Sequence, residues 1–216
     1  MRILAFLSLL ALVTSVVASD RPLSFRHDVL PVLSKAGCNS GGCHGALAGK
    51  GGFRLSLNAY DPATDHYNIT RENRGRRIEF ADPARSLFVI KPTAAVRHKG
   101  GKFLHEDSDD YKLLIEWIQQ GAPGPSTDDT ELNRIELTPA LSQLNKGDTQ
   151  PLTVHAFFSD GTKRDVTRWA RFTSTDATVA EVDEATGLAK VIGYGEGAIS
   201  VWYSGQIALA RITSPW

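Results

Sequence analysis

The sequence predicts a protein of two parts, a mainly α domain followed by an all-β antiparallel sandwich. Two segments with helical spacing of apolar residues bracket the first part, and a glycine-rich stretch with both cysteines of the chain lies between them. In the second part, short alternating segments are separated by turn signals, which is typical of a sandwich. The 216 residues are sufficient for two small domains.

The N-terminus has the pattern of a secretory signal peptide, which we assign to residues 1–19. Arg2 gives a charged start, residues 3–17 are apolar, and Ala18 and Ser19 offer a small-residue cleavage site. A retained membrane anchor is the alternative, but the apolar run is shorter than the about 20 residues that span a bilayer. We therefore expect an exported protein, periplasmic or at the cell surface, with no membrane span after cleavage.

Charge gives little indication of a nucleic-acid partner. The chain has 24 Lys and Arg against 24 Asp and Glu, so its net charge is zero. Residues 24–123 hold 14 basic and 11 acidic side chains, and residues 124–216 hold 8 basic and 12 acidic ones. Neither part is basic enough to predict binding to DNA or RNA.

The segment CNSGGCH, residues 38–44, carries the clearest chemical signal. A histidine directly after the second of two cysteines is typical of covalent haem attachment, in which two thiols add to haem vinyl groups and the imidazole binds iron. The usual spacer has two residues, whereas four separate Cys38 from Cys43. A disulfide is an alternative in an exported protein, and zinc is a weaker one because only three ligand-type residues cluster here.

The second iron ligand is constrained by composition. Methionine is excluded, because Met1 is the only one and lies in the signal peptide. We favour His98, which lies in a glycine-containing loop shortly before the last helical segment of the domain. His27 and His105 are alternatives, and an open position is another. Two further histidines are expected to be surface or loop residues: His66 and His155.

Helical segments are predicted at both ends of the first domain. Asp28 is expected to cap a short helix with Pro31 in its first turn. A closing helix is expected to begin at Ser108 or Asp109 and to run through Gln120 before a glycine stop. The first helix leads directly into the cysteine segment, and the two helices are expected to pack across each other.

The chain between these helices is irregular and basic. Alternation in residues 53–57 predicts a short strand. Arg74, Arg76 and Arg77 form a basic cluster, for which we favour a solvated loop. The alternative is pairing of these guanidinium groups with haem propionates.

A series of short motifs runs through residues 24–123, among them GCN at 37–39, GCHG at 42–45, GKGGFRLSL at 49–57, YDP at 60–62 and KPT at 91–93. These motifs resemble the planctomycete-type cytochrome c domain, including its four-residue spacer. The resemblance implies one covalently bound haem c, with Cys38 and Cys43 as attachment residues and His44 as the proximal iron ligand. Related domains have Met-Pro-Pro where this chain has its His98 loop, which favours His98 as the distal ligand.

A turn-rich polar linker at residues 124–131 separates the second domain, residues 132–214. Motifs there include FSDGT at 158–162, FTSTD at 172–176 and GYGEG at 193–197. They resemble a bacterial Ig-like group 2 domain, which implies a spacer or adhesion module. Trp169 and Trp202 are expected in the core or half-buried, and no catalytic constellation is present.

Together these features predict an exported c-type cytochrome that exchanges single electrons with a redox partner protein and has no substrate chemistry of its own. The alternative is an envelope or cell-surface protein whose Ig-like domain binds polysaccharide or protein, with the haem domain accessory. An open distal position would instead allow ligand binding or peroxidase activity. The sequence is also compatible with a part of a longer protein.

Overall fold

A computed structural model describes residues 22–216 as a helical region followed by a β domain, which confirms the predicted fold class. The signal-peptide assignment at residues 1–19 lies outside the described residues. Within residues 22–216, no helix is long and apolar enough to cross a membrane. The helices are α1 (Leu30–Lys35), α2 (Pro62–Thr70), α3 (Leu87–Ile90) and α4 (Asp109–Gln119).

The first helical segment begins earlier than the sequence predicted. A π-helical turn, Phe25–Val29, precedes α1. Its cap is Ser24, whose hydroxyl accepts the His27 backbone N–H at 3.3 Å, while the Asp28 carboxylate accepts the Ser24 N–H at 2.8 Å. This reciprocal arrangement satisfies backbone donors at the helix start from both sides. Asp28 is therefore the inner member of the cap, and the predicted cap position was wrong.

The closing helix α4 is confirmed. The Ser108 hydroxyl accepts the Tyr111 N–H at 3.2 Å at its start, and Gly121 follows its end with a φ of 87°, which favours glycine. Trp117 is completely buried and packs against Phe25 with ring centroids 5.6 Å apart. The start of the domain and its last helix therefore meet in one core.

The strand predicted at residues 53–57 does not form. Lys50 and Phe53 make an isolated bridge, and the Leu55 N–H donates to the His44 carbonyl at 2.8 Å. The segment thus pairs with the cysteine–histidine loop instead of with another strand. Its alternation arises because Phe53 and Leu55 both line an internal cavity.

The β domain comprises three sheets around one core. Their strand orders are β1-β4-β5, β2-β10-β9-β6 and β3-β8-β7. All described pairs are antiparallel except β2 with β10, which is parallel and departs from the predicted antiparallel pattern. The strands are β1 (Leu132–Thr138), β2 (Leu141–Gln143), β3 (Thr149–Pro151), β4 (Thr153–Phe158), β5 (Lys163–Asp165), β6 (Arg171–Ser174), β7 (Ala180–Val182), β8 (Leu188–Val191), β9 (Gly195–Tyr203) and β10 (Gln206–Ser214).

Polar contacts join the two domains. Arg164 on β5 donates to the buried Asp28 carboxylate at 2.5 Å. Lys35, at the end of α1, donates to the Ala170 carbonyl at 2.6 Å. Trp169 is half-buried, as predicted, and packs against both hydrophobic cores. The β domain therefore holds the helix that leads into the cysteine segment.

Candidate functional site

The helical domain encloses a cavity of about 720 Å³, within the range of small-molecule and cofactor sites. Its walls are mainly apolar and come from α1, α3 and α4 together with the loops between the helices. The structure places all four predicted site residues on this one cavity. They are Cys38, Cys43, His44 and His98.

The imidazole rings of His44 and His98 lie close to each other. Their centroids are 6.3 Å apart, and the ring planes differ by 12°. His44 follows the second cysteine, whereas His98 comes from the loop between α3 and α4, 54 positions further along the chain. The fold therefore brings two histidines from distant segments into one pair.

Hydrogen bonds fix which ring nitrogen of each histidine carries the proton. The Nδ1 of His44 lies 3.0 Å from the Phe53 carbonyl oxygen, and the Nδ1 of His98 lies 2.8 Å from the Gly101 carbonyl oxygen. A carbonyl can only accept, so both Nδ1 atoms donate. In a neutral imidazole the lone pair then resides on Nε2, the nitrogen that can bind a metal. Burial lowers the pKa of His44 from its usual value, which favours this neutral form.

The loop between the cysteines is held by its own backbone. The His44 N–H donates to the Cys38 carbonyl at 2.9 Å, and the Cys43 N–H donates to the Ser40 carbonyl at 3.0 Å. A Cβ atom on Gly45 would lie 2.0 Å from the Asn39 carbonyl oxygen, so only glycine fits there. The four-residue spacer is thus taken up in compact turns that keep both thiols beside His44.

Both cysteines are free thiols in this structure. Burial raises the pKa of Cys38 to about 12, and the neighbouring Cys43 acts in the same direction. Cys38 is therefore protonated at neutral pH. A buried, protonated thiol is poorly suited to reactions that need a thiolate, and its sulfur is better suited to an apolar neighbour.

The remaining histidines lie elsewhere. His27 is buried between the domains, where its Nε2 is 2.6 Å from the Thr130 carbonyl oxygen. His105 is exposed and does not line the cavity. His66 and His155 are partly exposed on α2 and β4, so they lie at the surface of regular elements and not in loops.

The charged residues that line the cavity are all cations. Arg77 is buried, and the others are exposed. Such a set attracts an anionic ligand group. The six lining cations are Lys50, Arg76, Arg77, Lys91, Arg97 and Lys99.

The donor set fits a haem c group better than a metal ion held by protein alone. In the part of the chain that the structure describes, no three His, Cys, Asp or Glu side chains are grouped to hold a metal ion. Two histidines whose Nδ1 atoms are bonded to carbonyls, two thiols, apolar walls and cations for carboxylates fit an iron macrocycle instead. The sequence did not reveal the dependence of His44 on the Phe53 carbonyl, although the GKGGFRLSL motif contains this phenylalanine.

Comparison with known proteins assigns the second domain. Residues 131–204 match the family described as Bacterial Ig-like domain (group 2), so the C-terminal domain is Ig-like. The chain is also 33% identical over 85 residues to Ice-binding protein 1 of Shewanella frigidimarina (strain NCIMB 400). That match covers 39% of this chain but only 9% of the relative.

Solved structures give more distant likenesses. The S-layer protein SbsC, domains 4 and 5, is 14% identical with a TM-score of 0.36, and the match covers 41% of this chain and 54% of that one. A C-terminal fragment of intimin, solved with the intimin-binding domain of its translocated receptor, is 19% identical with a TM-score of 0.24. The second match covers 40% of this chain and 30% of the fragment.

Proposed function

We propose that the protein is an exported c-type cytochrome that carries single electrons, with one haem c attached through Cys38 and Cys43. His44 and His98 would hold its iron. The observation that carries this proposal is the pair of imidazole rings beside the two cysteines, with centroids 6.3 Å apart. The Ig-like domain then serves as a spacer or adhesion module.

The close pair of imidazole rings supports a site in which His44 and His98 would both hold the iron. Both Nδ1 atoms are already bonded to carbonyls, so no further proton rearrangement is needed before Nε2 binds. The protein thus supplies two oriented ligands in advance.

Each part of the cavity has a task in this proposal. The bound haem would supply one-electron chemistry. The apolar walls would keep water away from it, and the exposed cations that line the cavity would pair with its propionate groups. Two imidazole ligands would give low-spin iron with a lower reduction potential than His/Met ligation at similar burial.

A spectroelectrochemical titration tests the electron-carrier function. The full chain is produced in a host competent for c-type haem assembly and is titrated between its oxidised and reduced forms. We expect one reversible step that involves a single electron and a low-spin spectrum in both states. A high-spin ferric spectrum, or the lack of a reversible one-electron step, would contradict the proposal.

A second candidate function is favoured by the family match of residues 131–204. In this alternative the Ig-like domain binds envelope polysaccharide, and the haem domain is accessory. Large apolar side chains are exposed on neighbouring strands of one sheet, with Leu141 on β2 and both Ile207 and Leu209 on β10. Exposed apolar groups on adjacent strands are a feature of interaction surfaces.

Co-sedimentation of the full chain with purified peptidoglycan tests this alternative. If the sheet face binds, the wild type sediments and the double variant Ile207→Ser/Leu209→Ser does not. Leu47→Ser changes an exposed leucine of the helical domain and is the matched control. Absence of wild-type sedimentation would exclude peptidoglycan as the ligand.

A further inference from the structure

Arg77 is a buried arginine whose guanidinium is committed to the backbone. The residue is 5% exposed. Its Nη2 donates to the Gly52 carbonyl at 2.6 Å, and its Nη1 donates to the Asn68 carbonyl at 2.7 Å. The sequence had grouped Arg77 with Arg74 and Arg76 as a solvated loop. Both of those are exposed, whereas Arg77 holds separate segments together.

These contacts lead directly to the proposed iron ligand. Gly52 precedes Phe53, and the Arg77 guanidinium carbon lies 4.6 Å from the Phe53 ring centroid. The Phe53 ring in turn lies 4.7 Å from the His44 ring, and the Phe53 carbonyl accepts the His44 Nδ1 proton. Arg77 therefore contacts, by a hydrogen bond and by ring packing, the short segment that fixes the orientation of His44.

Arg77 carries its charge on the His44 side of the cavity. Glu72 forms an ion pair with its Nη2 at 3.0 Å, through a carboxylate oxygen that is itself buried. The guanidinium also packs against the Phe53 ring, which contacts the His44 ring. An arginine stays charged at all physiological pH values.

We infer that Arg77 is the positioning residue of His44, and that its buried charge favours the reduced state of the iron that His44 would bind. This inference rests on the proposed function. Reduction removes one positive charge from the iron, so a fixed cation nearby favours the reduced form. Arg77 acts in two separable ways, through the orientation of His44 and through its own charge. A lysine at this position supplies the charge without the planar fork that joins Gly52 to Asn68.

Three variants separate these contributions from a purely structural role. Arg77→Gln removes fork and charge, Arg77→Lys keeps the charge, and Arg76→Gln removes the same charge from an exposed position on the same cavity. The readouts are the reduction potential of the folded haem protein and the electron paramagnetic resonance spectrum of its ferric form. A purely structural role would lower the melting temperature and leave both readouts unchanged.

For Arg77→Gln we expect the reduction equilibrium to shift about tenfold toward the oxidised form, as a unit charge about 12 Å away does at an effective dielectric constant of roughly 20. For one electron this is about 59 mV. Arg77→Lys should keep most of the potential but alter the resonance spectrum, because His44 is held less firmly. Arg76→Gln should shift the equilibrium less than twofold. Equal potentials and spectra for Arg77→Gln and the wild type would overturn the inference.

A measurement without haem keeps this test distinct from that of the proposed function. Nitrogen-15 NMR of the haem-free chain reports the His44 tautomer, and we expect Nδ1–H in the wild type and a tautomer mixture in Arg77→Gln. A wild type that binds no haem would overturn the proposed function, while the tautomers would still decide whether Arg77 positions His44. An unchanged tautomer in Arg77→Gln would contradict that positioning role.

Discussion

At the scale of single residues, the site depends on backbone carbonyls that orient two imidazoles. His98 is held by the Gly101 carbonyl and by a tight loop, since a Cβ on Gly100 would lie 3.2 Å from its Cε1 and 3.3 Å from the Phe103 ring. His98 thus has one well-defined orientation although it lies in an irregular segment. Its availability as a ligand follows from these contacts and not from its position in the sequence alone.

Replacement of His98 tests its proposed role as distal ligand. In His98→Ala the iron would lose one strong-field ligand, so the ferric spectrum should change from low-spin to high-spin. His105→Ala removes an exposed histidine outside the cavity and should leave the spectrum unchanged. Absorption and electron paramagnetic resonance spectra measure both. A low-spin His98→Ala protein would exclude His98 as the ligand.

His27 predicts a pH dependence of stability. Burial lowers its pKa from the usual 6.5, so the folded protein holds it neutral. Between pH 6.5 and this lowered value the unfolded chain binds a proton that the folded chain does not. Stability therefore falls as pH falls through this window, by about 1.4 kcal/mol for each unit of pKa difference.

Urea unfolding of the full chain at pH 7.5 and pH 5.5 measures this effect. The loss of stability at the lower pH should be smaller in His27→Gln than in the wild type. Charges of Asp129, Arg164 and Asp28 around His27 are the same in both proteins. His155→Gln is the control and should retain the wild-type loss. Equal losses of stability in His27→Gln and the wild type would contradict the attribution of this pH dependence to His27.

At the scale of elements, two short segments build the wall beneath the cavity. One is the loop of residues 38–45, and the other is the segment of residues 49–55 that supplies the Phe53 carbonyl. A hydrogen bond from Leu55 to the His44 carbonyl connects them. Neither segment is a regular helix or strand, and each takes its shape with the help of glycines at particular positions.

Gly45→Ala tests the shape of this loop. A Cβ would lie 2.0 Å from the Asn39 carbonyl oxygen and would force the loop open. We expect a several-fold smaller fraction of protein with attached haem, measured by absorbance per polypeptide. Gly42→Ala is the matched control, because its Cβ would meet only the Ser40 hydroxyl at 3.9 Å. Similar haem content in both variants would show that loop shape does not limit attachment.

Many of the helices and motifs of the helical domain were predictable from the sequence. The closing helix α4 and the cluster of cysteines and histidine follow from apolar spacing and from a contiguous motif. The strand expected at residues 53–57 was wrong, because alternation also arises where Phe53 and Leu55 face a cavity. The role of Arg77 could not be predicted either, since the hydrogen bonds that join it to the Phe53 segment go to carbonyl oxygens, which any sequence supplies.

At the scale of the whole molecule, the two domains are joined by contacts that no local pattern encodes. Asp28 and Arg164 are separated by 136 positions, and each resembles an ordinary surface charge in the sequence. In the structure Asp28 is 1% exposed and Arg164 donates to it at 2.5 Å. The Ig-like domain thereby stabilises the start of the helical domain as well as extending from it.

Replacement of Arg164 tests this contact between the two domains. Arg164→Met withdraws the cation from a buried carboxylate and should cost about 3 kcal/mol of unfolding free energy. Asp28→Asn/Arg164→Met should cost less than the sum of its single changes. Arg134→Met breaks an exposed ion pair with Glu136 and should cost less than about 1 kcal/mol. Denaturant unfolding measures Arg164→Met, Asp28→Asn, their double variant and Arg134→Met. Additive effects of the two single changes would indicate that Asp28 and Arg164 are not coupled.

The central claim is that Cys38 and Cys43 hold a covalently attached haem. Acid-acetone extraction of the wild-type chain, followed by intact-mass measurement of the precipitated protein, tests it most directly. We expect the colour to stay with the protein and the mass of the protein to exceed that of the polypeptide by one haem. A colourless protein, haem released into the acetone, or a mass lower by two hydrogens from a Cys38–Cys43 disulfide would contradict it.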